Sequence, residues 1–156
     1  AGSGGMDEAT QSRCGTISYA ICCKGRHGCD RLQFAGSRLG DGTGGRGWCL
    51  KLNYQDIPLI SCAQKHAQAW RFPGGAFDNQ TYYQSKVIFD SAISEAQQLL
   101  LFDPQTSGGL LLGVSPARID AFMKAAQSQN QPAWVIGEVI PGNKIMVENN
   151  GDKWPR

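Results

Sequence analysis

The fold is decided by the stretch Leu99-Leu100-Leu101-Phe102-Asp103-Pro104-Gln105-Thr106-Ser107-Gly108-Gly109-Leu110-Leu111-Leu112, where an apolar helix ends and an apolar strand begins. Pro104 cannot continue a helix, and it biases Asp103 away from helical dihedral angles. Gly108 and Gly109 have no Cβ atom, so a ligand or another chain segment can approach their backbone amides closely. Two interpretations stay open on local grounds, an ordinary helix-to-strand turn and a loop that faces a ligand.

The size and charge of the chain exclude several classes of function. With 156 residues it is one domain's worth of chain, large enough for a modest core. A net charge of +2 favours neither a nucleic-acid partner nor a membrane surface. No apolar run approaches the ~20 residues of a membrane span. We expect no nucleic-acid or membrane partner and, in the absence of a secretion signal, a cytoplasmic location.

The six cysteines are concentrated in the first third of the chain, at positions 14, 22, 23, 29 and 49, with Cys62 alone further on. The spacing of Cys22, Cys23, His27 and Cys29 lacks the paired C-x2-C pattern of most zinc sites. Free thiols in a reducing compartment, or an unstructured tail, are the favoured interpretation, and a zinc site is the weaker alternative.

Strands and helices intermingle after residue 48 without strict alternation, which predicts an α+β fold, an α/β sandwich with a mixed, largely antiparallel sheet. Predicted strands cover residues 50–54, 87–89, 110–114, 134–140 and 145–147, the fourth broken at Gly137-Glu138, and residues 16–23 form a short strand or helix. The pair Pro141-Gly142 predicts a hairpin between the last two strands. Residues 110–114 are apolar on both faces, as expected of a central strand.

Helical periodicity predicts three apolar stripes. They comprise Ile60, Ala63, Ala67 and Trp70, capped by Ser61; Ala92, Ile93, Ala96, Leu99 and Leu100, capped by Asp90 or Ser91; and Ile119, Phe122, Met123 and Ala126, started by Ser115-Pro116. His66 lies off the first stripe and is expected to be solvated.

The segment Asp103-Pro104-Gln105-Thr106-Ser107-Gly108-Gly109-Leu110-Leu111 resembles the signature near the carboxyl end of selenophosphate synthetase (selenide, water dikinase), in the superfamily named for aminoimidazole ribonucleotide synthetase. The flanking motifs Ile57-Pro58-Leu59, Pro73-Gly74-Gly75 with Asn79, and Gly137-Glu138-Val139 follow in the family's order. The resemblance covers about residues 50–147 and implies the carboxyl-terminal domain of that superfamily, over residues 49–148.

The resemblance implies a fragment of an enzyme that makes selenophosphate from selenide, ATP and water. Its catalytic residues and most ligands of Mg and ATP lie in an amino-terminal half that this chain lacks, so we expect no catalytic residue, no metal ligand, no cofactor and no kinase activity here. The missing half is the expected partner. The residues expected to face a phosphate or that partner are Gln105, Thr106, Ser107, Gly108 and Gly109.

A second loop is expected at Gly74, Gly75 and Asn79. The family pattern resembles Pro-Gly-Gly-Thr-x-x-Asn with a basic residue before the asparagine, but Ala76 and Asp78 stand in those two places. Loss of a hydroxyl and a cation weakens the case for anion binding. The favoured alternative is a glycine turn in which Asn79 bonds its own backbone.

The first third lacks the family's upstream motif. Residues 1–5 are interpreted as a cloning scar, residues 6–48 as an atypical segment, frameshifted or disordered, and residues 149–156 as a frayed tail. Read one nucleotide later, the codons for residues 27–37 permit Met-Asp-Val-Thr-Gly-Phe-Ser-Leu-Leu-Gly-His, which is similar to the family motif. Under that hypothesis Gly28 stands where the family has a metal-binding aspartate. The glycine-rich run at residues 40–47 is interpreted as a linker rather than a phosphate loop.

An alternative function is a non-catalytic module for partner binding or homodimerisation. It requires an exposed apolar patch, to which Trp70, Phe72 and Phe77 are candidate contributors. The sequence does not distinguish a natural short protein from a truncated form, and it leaves the parent's substrate and the oligomeric state open.

Overall fold

The computed structural model describes residues 18–23 by their backbone and residues 47–104 and 110–150 in full. Within these residues, six strands form one sheet: β1 (Ser18–Cys23), β2 (Trp48–Asn53), β3 (Val87–Phe89), β4 (Leu110–Val114), β5 (Ala133–Pro141) and β6 (Ile145–Glu148). The same described part of the chain contains four helices: α1 (Ala63–Gln68), α2 (Gly74–Tyr83), α3 (Glu95–Leu101) and α4 (Ile119–Ser128). Short 3-10 turns lie at Tyr54–Asp56, Gln84–Lys86 and Pro116–Arg118.

The strand order is β3-β6-β2-β5-β1-β4. Strand β1 runs antiparallel to β4 and β5, and β2 runs antiparallel to β5. Strand β6 is parallel to both β2 and β3. The sheet is therefore mixed and largely antiparallel, which confirms the predicted fold class.

The predicted hairpin between the last two strands is wrong. Strand β2 lies between β5 and β6, so these two strands follow each other in the chain without pairing. The turn after Pro141 is real, but it spans the width of the intervening strand. Turn signals specify a change of direction, and they do not specify which strand becomes the neighbour.

The prediction of a central strand at residues 110–114 is also wrong, because β4 is an edge strand among those described. Leu110 is 47% exposed, and the residues that follow are only half-buried or exposed. Both faces of β4 are partly buried, which explains why the strand is apolar although it lies at the edge of the sheet.

Strand β5 is continuous through the predicted break at Gly137-Glu138. The pairing with β1 shifts register beside Ala20, which leaves Ile136 as an extra residue on β5. Gly137 lies opposite Leu52 of β2, and a Cβ atom there would lie 2.2 Å from the Lys51 carbonyl oxygen. The glycine therefore serves close strand approach beside a bulge and does not mark the end of a strand.

The core lies between the sheet and α3. It comprises the buried residues Leu52, Tyr54, Ile57, Val87, Ile93, Leu101, Phe102, Ile136, Ile145 and Val147. Burial of these side chains is the main stabilising contribution to the domain. The alternation predicted for residues 50–54 is confirmed in part, since Leu52 and Tyr54 are buried, Leu50 packs half-buried against the core and Lys51 is half-exposed.

The helix signals were correct in part. Helix α3 is capped by Ser94, not by Asp90 or Ser91, and Gln97 completes a capping box with it. Asp90 instead accepts a hydrogen bond from the Ala92 amide at 2.7 Å. In the first predicted stripe Ala67 is buried, whereas Ile60 and Trp70 are exposed because α1 spans only Ala63–Gln68.

Ser115-Pro116 begins the last helical segment as predicted. The stripe of α4 has the expected members Ile119, Phe122, Met123 and Ala126, but each of them is half-buried. The apolar face of this helix is therefore only partly buried.

Candidate functional site

Helix α2 begins where a glycine loop was expected. Gly74 and Gly75 form its first turn, and Pro73 is the preceding cap residue. Proline has no side-chain acceptor for the first amides, and the first turn contains no acidic residue. The positive end of the helix dipole is therefore not offset by the helix's own side chains.

Asn79 belongs to the same helix, and its role differs from the predicted bond to its own backbone. The Asn79 side-chain amide donates a hydrogen bond from Nδ2 to the Phe102 carbonyl oxygen at 2.9 Å. Phe102 is the cap residue at the carboxyl end of α3, where carbonyl groups lack partners within the helix. Asn79 thus holds the end of α3 against α2.

The structure brings the two sequence motifs together at this point. A Cβ atom at Gly75 would lie 3.0 Å from Cγ of Pro104, so the glycine permits close packing of the α2 amino terminus on the start of the turn. At Gly74 a Cβ atom would have no neighbour within 4 Å. Gly75 is therefore needed for packing, whereas the Cβ position of Gly74 is open space.

The five predicted turn residues Gln105, Thr106, Ser107, Gly108 and Gly109 lie outside the described residues. Their proposed role as phosphate- or cleft-facing groups stays a prediction. The described residues on either side, Pro104 and Leu110, fix where the turn leaves α3 and where it enters β4.

Three aromatic side chains form an exposed cluster beside the start of α2, here called the aromatic patch. The Phe72 ring lies edge-to-face against both neighbours, with ring centres 6.1 Å from Trp70 and 6.3 Å from Phe77. Trp70 is 54% exposed and Phe77 is 44% exposed. These residues were predicted from the sequence as candidate contributors to an apolar patch, and the structure brings all three together.

Trp70 ends helix α1 in a left-handed conformation with φ of 52°. The Trp70 amide donates to the Ala67 carbonyl at 2.9 Å, and the Arg71 amide donates to the His66 carbonyl at 3.0 Å. This is the helix-ending arrangement that usually places glycine at the left-handed position. A tryptophan there is conformationally costly.

A separate groove of about 1060 Å³ runs beside α4, and sequence reasoning missed it. Its lining includes Ile57, Pro58, Ile119, Met123 and Trp134. Its described lining residues do not include Pro104 or the start of α2, so the groove is separate from the contact between Gly75 and Pro104. The apolar stripe of α4 was the only signal for it.

Two buried groups have perturbed ionisation. Burial raises the pKa of the Cys49 thiol, which the Lys144 backbone partly opposes, and burial raises the pKa of the Tyr54 phenol above 10.0. The Tyr54 hydroxyl is buried and has no hydrogen-bond partner within the described part of the chain. Both groups are therefore neutral in the folded state at physiological pH.

The described ranges contain no cluster of three or more His, Cys, Asp or Glu side chains that could hold a metal ion. His66 is exposed, as predicted. Of the positions considered for zinc, His27 and Cys29 lie outside those ranges, and Cys22 and Cys23 are described by their backbone alone. Within them, no helix is both long and apolar enough to cross a membrane.

Residues 42–148 match the family described as AIR synthase related protein, C-terminal domain. The match covers more than half of the chain, and the mixed sheet with its helices agrees with it, so the chain belongs to this family.

Within the family, the chain is similar to proteins described as selenide, water dikinase. It is 38% identical to the one from Pelobacter propionicus over 96 residues, which are 60% of this chain and 28% of the relative. It is 41% identical to the one from Carboxydothermus hydrogenoformans over 88 residues, 56% of this chain and 25% of the relative. With the relative from Trichlorobacter lovleyi the values are 32% over 104 residues, 66% of this chain and 30% of the relative. The matched segment thus spans 25–30% of these relatives.

Proposed function

We propose that this chain is the carboxyl-terminal domain of a selenide, water dikinase and forms one wall of its active-site cleft. The observation that supports this is the packing of Gly75 at the start of α2 against Pro104 at the start of the signature turn. Two motifs that the family resemblance selected independently are neighbours in space. We propose that such a wall presents the backbone amides at the start of α2 to an anion.

Helix α2 departs from the family pattern at two positions. It has Ala76 and Asp78 where that pattern has a hydroxyl and a cation. Phosphoryl transfer needs cations to neutralise the transferring group. In this proposal, as the family resemblance implies, the amino-terminal half is the partner that supplies the ligands for Mg and the catalytic groups.

The first experiment uses the 156-residue chain alone with ATP, Mg and selenide. We expect no formation of AMP and phosphate above the protein-free reaction, because a single wall cannot neutralise the transferring phosphoryl group. Turnover that produces selenophosphate would contradict the proposal that the chain is inactive alone.

The second experiment tests the wall itself in a joined enzyme, in which residues 47–150 of this chain replace the matched segment of the Pelobacter propionicus relative. Gly108→Val should lower turnover by about 100-fold, the scale lost when one oxyanion-type donor is removed. The unfolding midpoint should change by only a few degrees. Gly113→Val is the matched control, because a Cβ atom there meets nothing within 4 Å. Equal losses of turnover and stability at Gly108 would identify a purely structural turn.

A non-catalytic module is the second candidate function. The groove beside α4 and the half-buried stripe that borders it favour partner binding or homodimerisation. Sedimentation velocity over a range of concentrations tests self-association. A sedimentation coefficient that does not change with concentration would exclude the homodimer.

A further inference from the structure

We infer that the aromatic patch of Trp70, Phe72 and Phe77 is the surface on which the amino-terminal part of the intact enzyme packs. This inference rests on the proposed function, because it assumes that the domain works as one part of a longer enzyme. It adds the place of contact, which is a cluster of rings next to the start of α2.

The patch has the form of an interaction surface. The central Phe72 ring holds the two exposed rings in fixed edge-to-face contacts. Aromatic side chains are enriched at the buried centres of protein interfaces, and exposed clusters of them mark such sites. The neighbouring exposed charges, Arg71 and Asp78, are of opposite sign, so the surface is suited to an apolar partner rather than to an ion.

Trp70 supports a role outside the isolated domain. It occupies a left-handed position that glycine would fill without strain, and more than half of its surface is exposed. Folding of this domain alone therefore does not explain why a tryptophan stands there. A ring that is covered when a partner binds does explain it.

The occupant is indicated by position and by chain length. Phe77 belongs to α2, the helix whose amino terminus packs on Pro104, so the aromatic patch and that packing share one helix. The matched segment covers at most 30% of each of the three relatives compared above. Most of each relative therefore lies outside this domain. An apolar surface beside the cleft wall fits that remaining polypeptide.

Hydroxyl-radical footprinting with mass spectrometry tests the inference on the 156-residue chain and on the joined enzyme defined above. Oxidation of Trp70 and Phe77 should be at least fivefold slower in the joined enzyme than in the chain alone. Tyr82 is the matched control, since it is an aromatic residue of the same helix that is 67% exposed. Its oxidation should change less than twofold.

A variant separates docking from folding. Trp70→Gly removes the ring and suits the left-handed backbone, so the isolated chain should keep its unfolding midpoint within a few degrees. In the joined enzyme the same variant should abolish the protection of Phe77.

Equal oxidation of Trp70 and Phe77 in both proteins would overturn the inference. Protection that appears in the isolated chain as its concentration rises would assign the patch to a second copy and would also overturn it. Turnover of the joined enzyme reports separately on the cleft wall. A Gly108→Val effect with no protection of the patch would leave the proposed function standing and reject this surface.

Discussion

Gly137→Ala should destabilise the folded chain by about 3 kcal/mol, because at this glycine the backbone of β2 leaves no room for a Cβ atom. A Cβ atom at position 137 would lie 2.2 Å from the Lys51 carbonyl oxygen and 2.9 Å from the Leu52 Cα atom. Ordinary carbon–oxygen contacts between strands are about 3.3–3.6 Å. Strands β2 and β5 would therefore have to separate locally by about 1 Å.

The magnitude follows from that separation. Moving the strands apart by about 1 Å breaks the two nearest ladder hydrogen bonds, at about 1 kcal/mol each, and residual crowding adds about 1 kcal/mol or more. Strand β5 lies in the interior of the sheet, so relaxation toward solvent is not open to it. For a domain of this size the unfolding midpoint should fall by more than about 10 °C.

Urea unfolding followed by circular dichroism measures the effect, with Gly113→Ala as the matched control. Gly113 is also a strand glycine, but nothing lies within 4 Å of its Cβ position. Alanine there should leave stability unchanged or raise it by about 0.5 kcal/mol. A loss below about 1 kcal/mol at Gly137, or equal losses at the two positions, would refute the close-approach argument.

Four further substitutions test the core and the site by the same unfolding assay. Tyr54→Phe should stabilise the chain by about 1 kcal/mol, since it removes a buried hydroxyl without a described partner. Because the folded state raises the Tyr54 pKa above 10.0, stability should fall as the pH rises past 10, and this variant should lose less. Asn79→Asp should cost about 1–3 kcal/mol, because a carboxylate replaces the donor to the Phe102 carbonyl, whereas unchanged stability would remove the helix-joining role. Gly74→Ala should stabilise α2 by up to about 1 kcal/mol, and Gly75→Ala should gain less because of the adjacent proline; equal gains would contradict that packing.

Local patterns in the sequence predicted local structure well. Ser115-Pro116 began a helical segment, and residues 87–89 formed a strand. Each of these signals depends on side chains within a few positions of one another. The α+β class followed from the mixture of such elements.

Features that depend on distant contacts were beyond sequence reasoning. Gly137 suggested a break in the strand. The β2 backbone, which requires a glycine at this position, lies more than eighty residues away in the sequence. Gly74 and Gly75 suggested a turn because glycine disfavours helices. The first turn of α2 nevertheless accommodates both glycines, and the contact with Pro104 requires a glycine at position 75. The link from Asn79 to Phe102 likewise joins two elements that no local pattern connects.

The candidate site was predicted only as two separate motifs. Neither sequence order nor the family resemblance indicated that the start of α2 lies against Pro104. The groove beside α4 was missed because a half-buried stripe and a fully buried one have the same periodicity in sequence.

The insertion of β6 between β2 and β3 has a consequence for how the chain is made. During synthesis β2 and β3 leave the ribosome long before β6, and neither can bond the other directly. A nascent chain that stops before Ile145 leaves β3 without the strand that ties it to the sheet, and exposes an edge of β2 to aggregation. Completion of the domain therefore waits for its last described strand, and a premature stop only a few codons before it should yield an insoluble product rather than a slightly shorter domain.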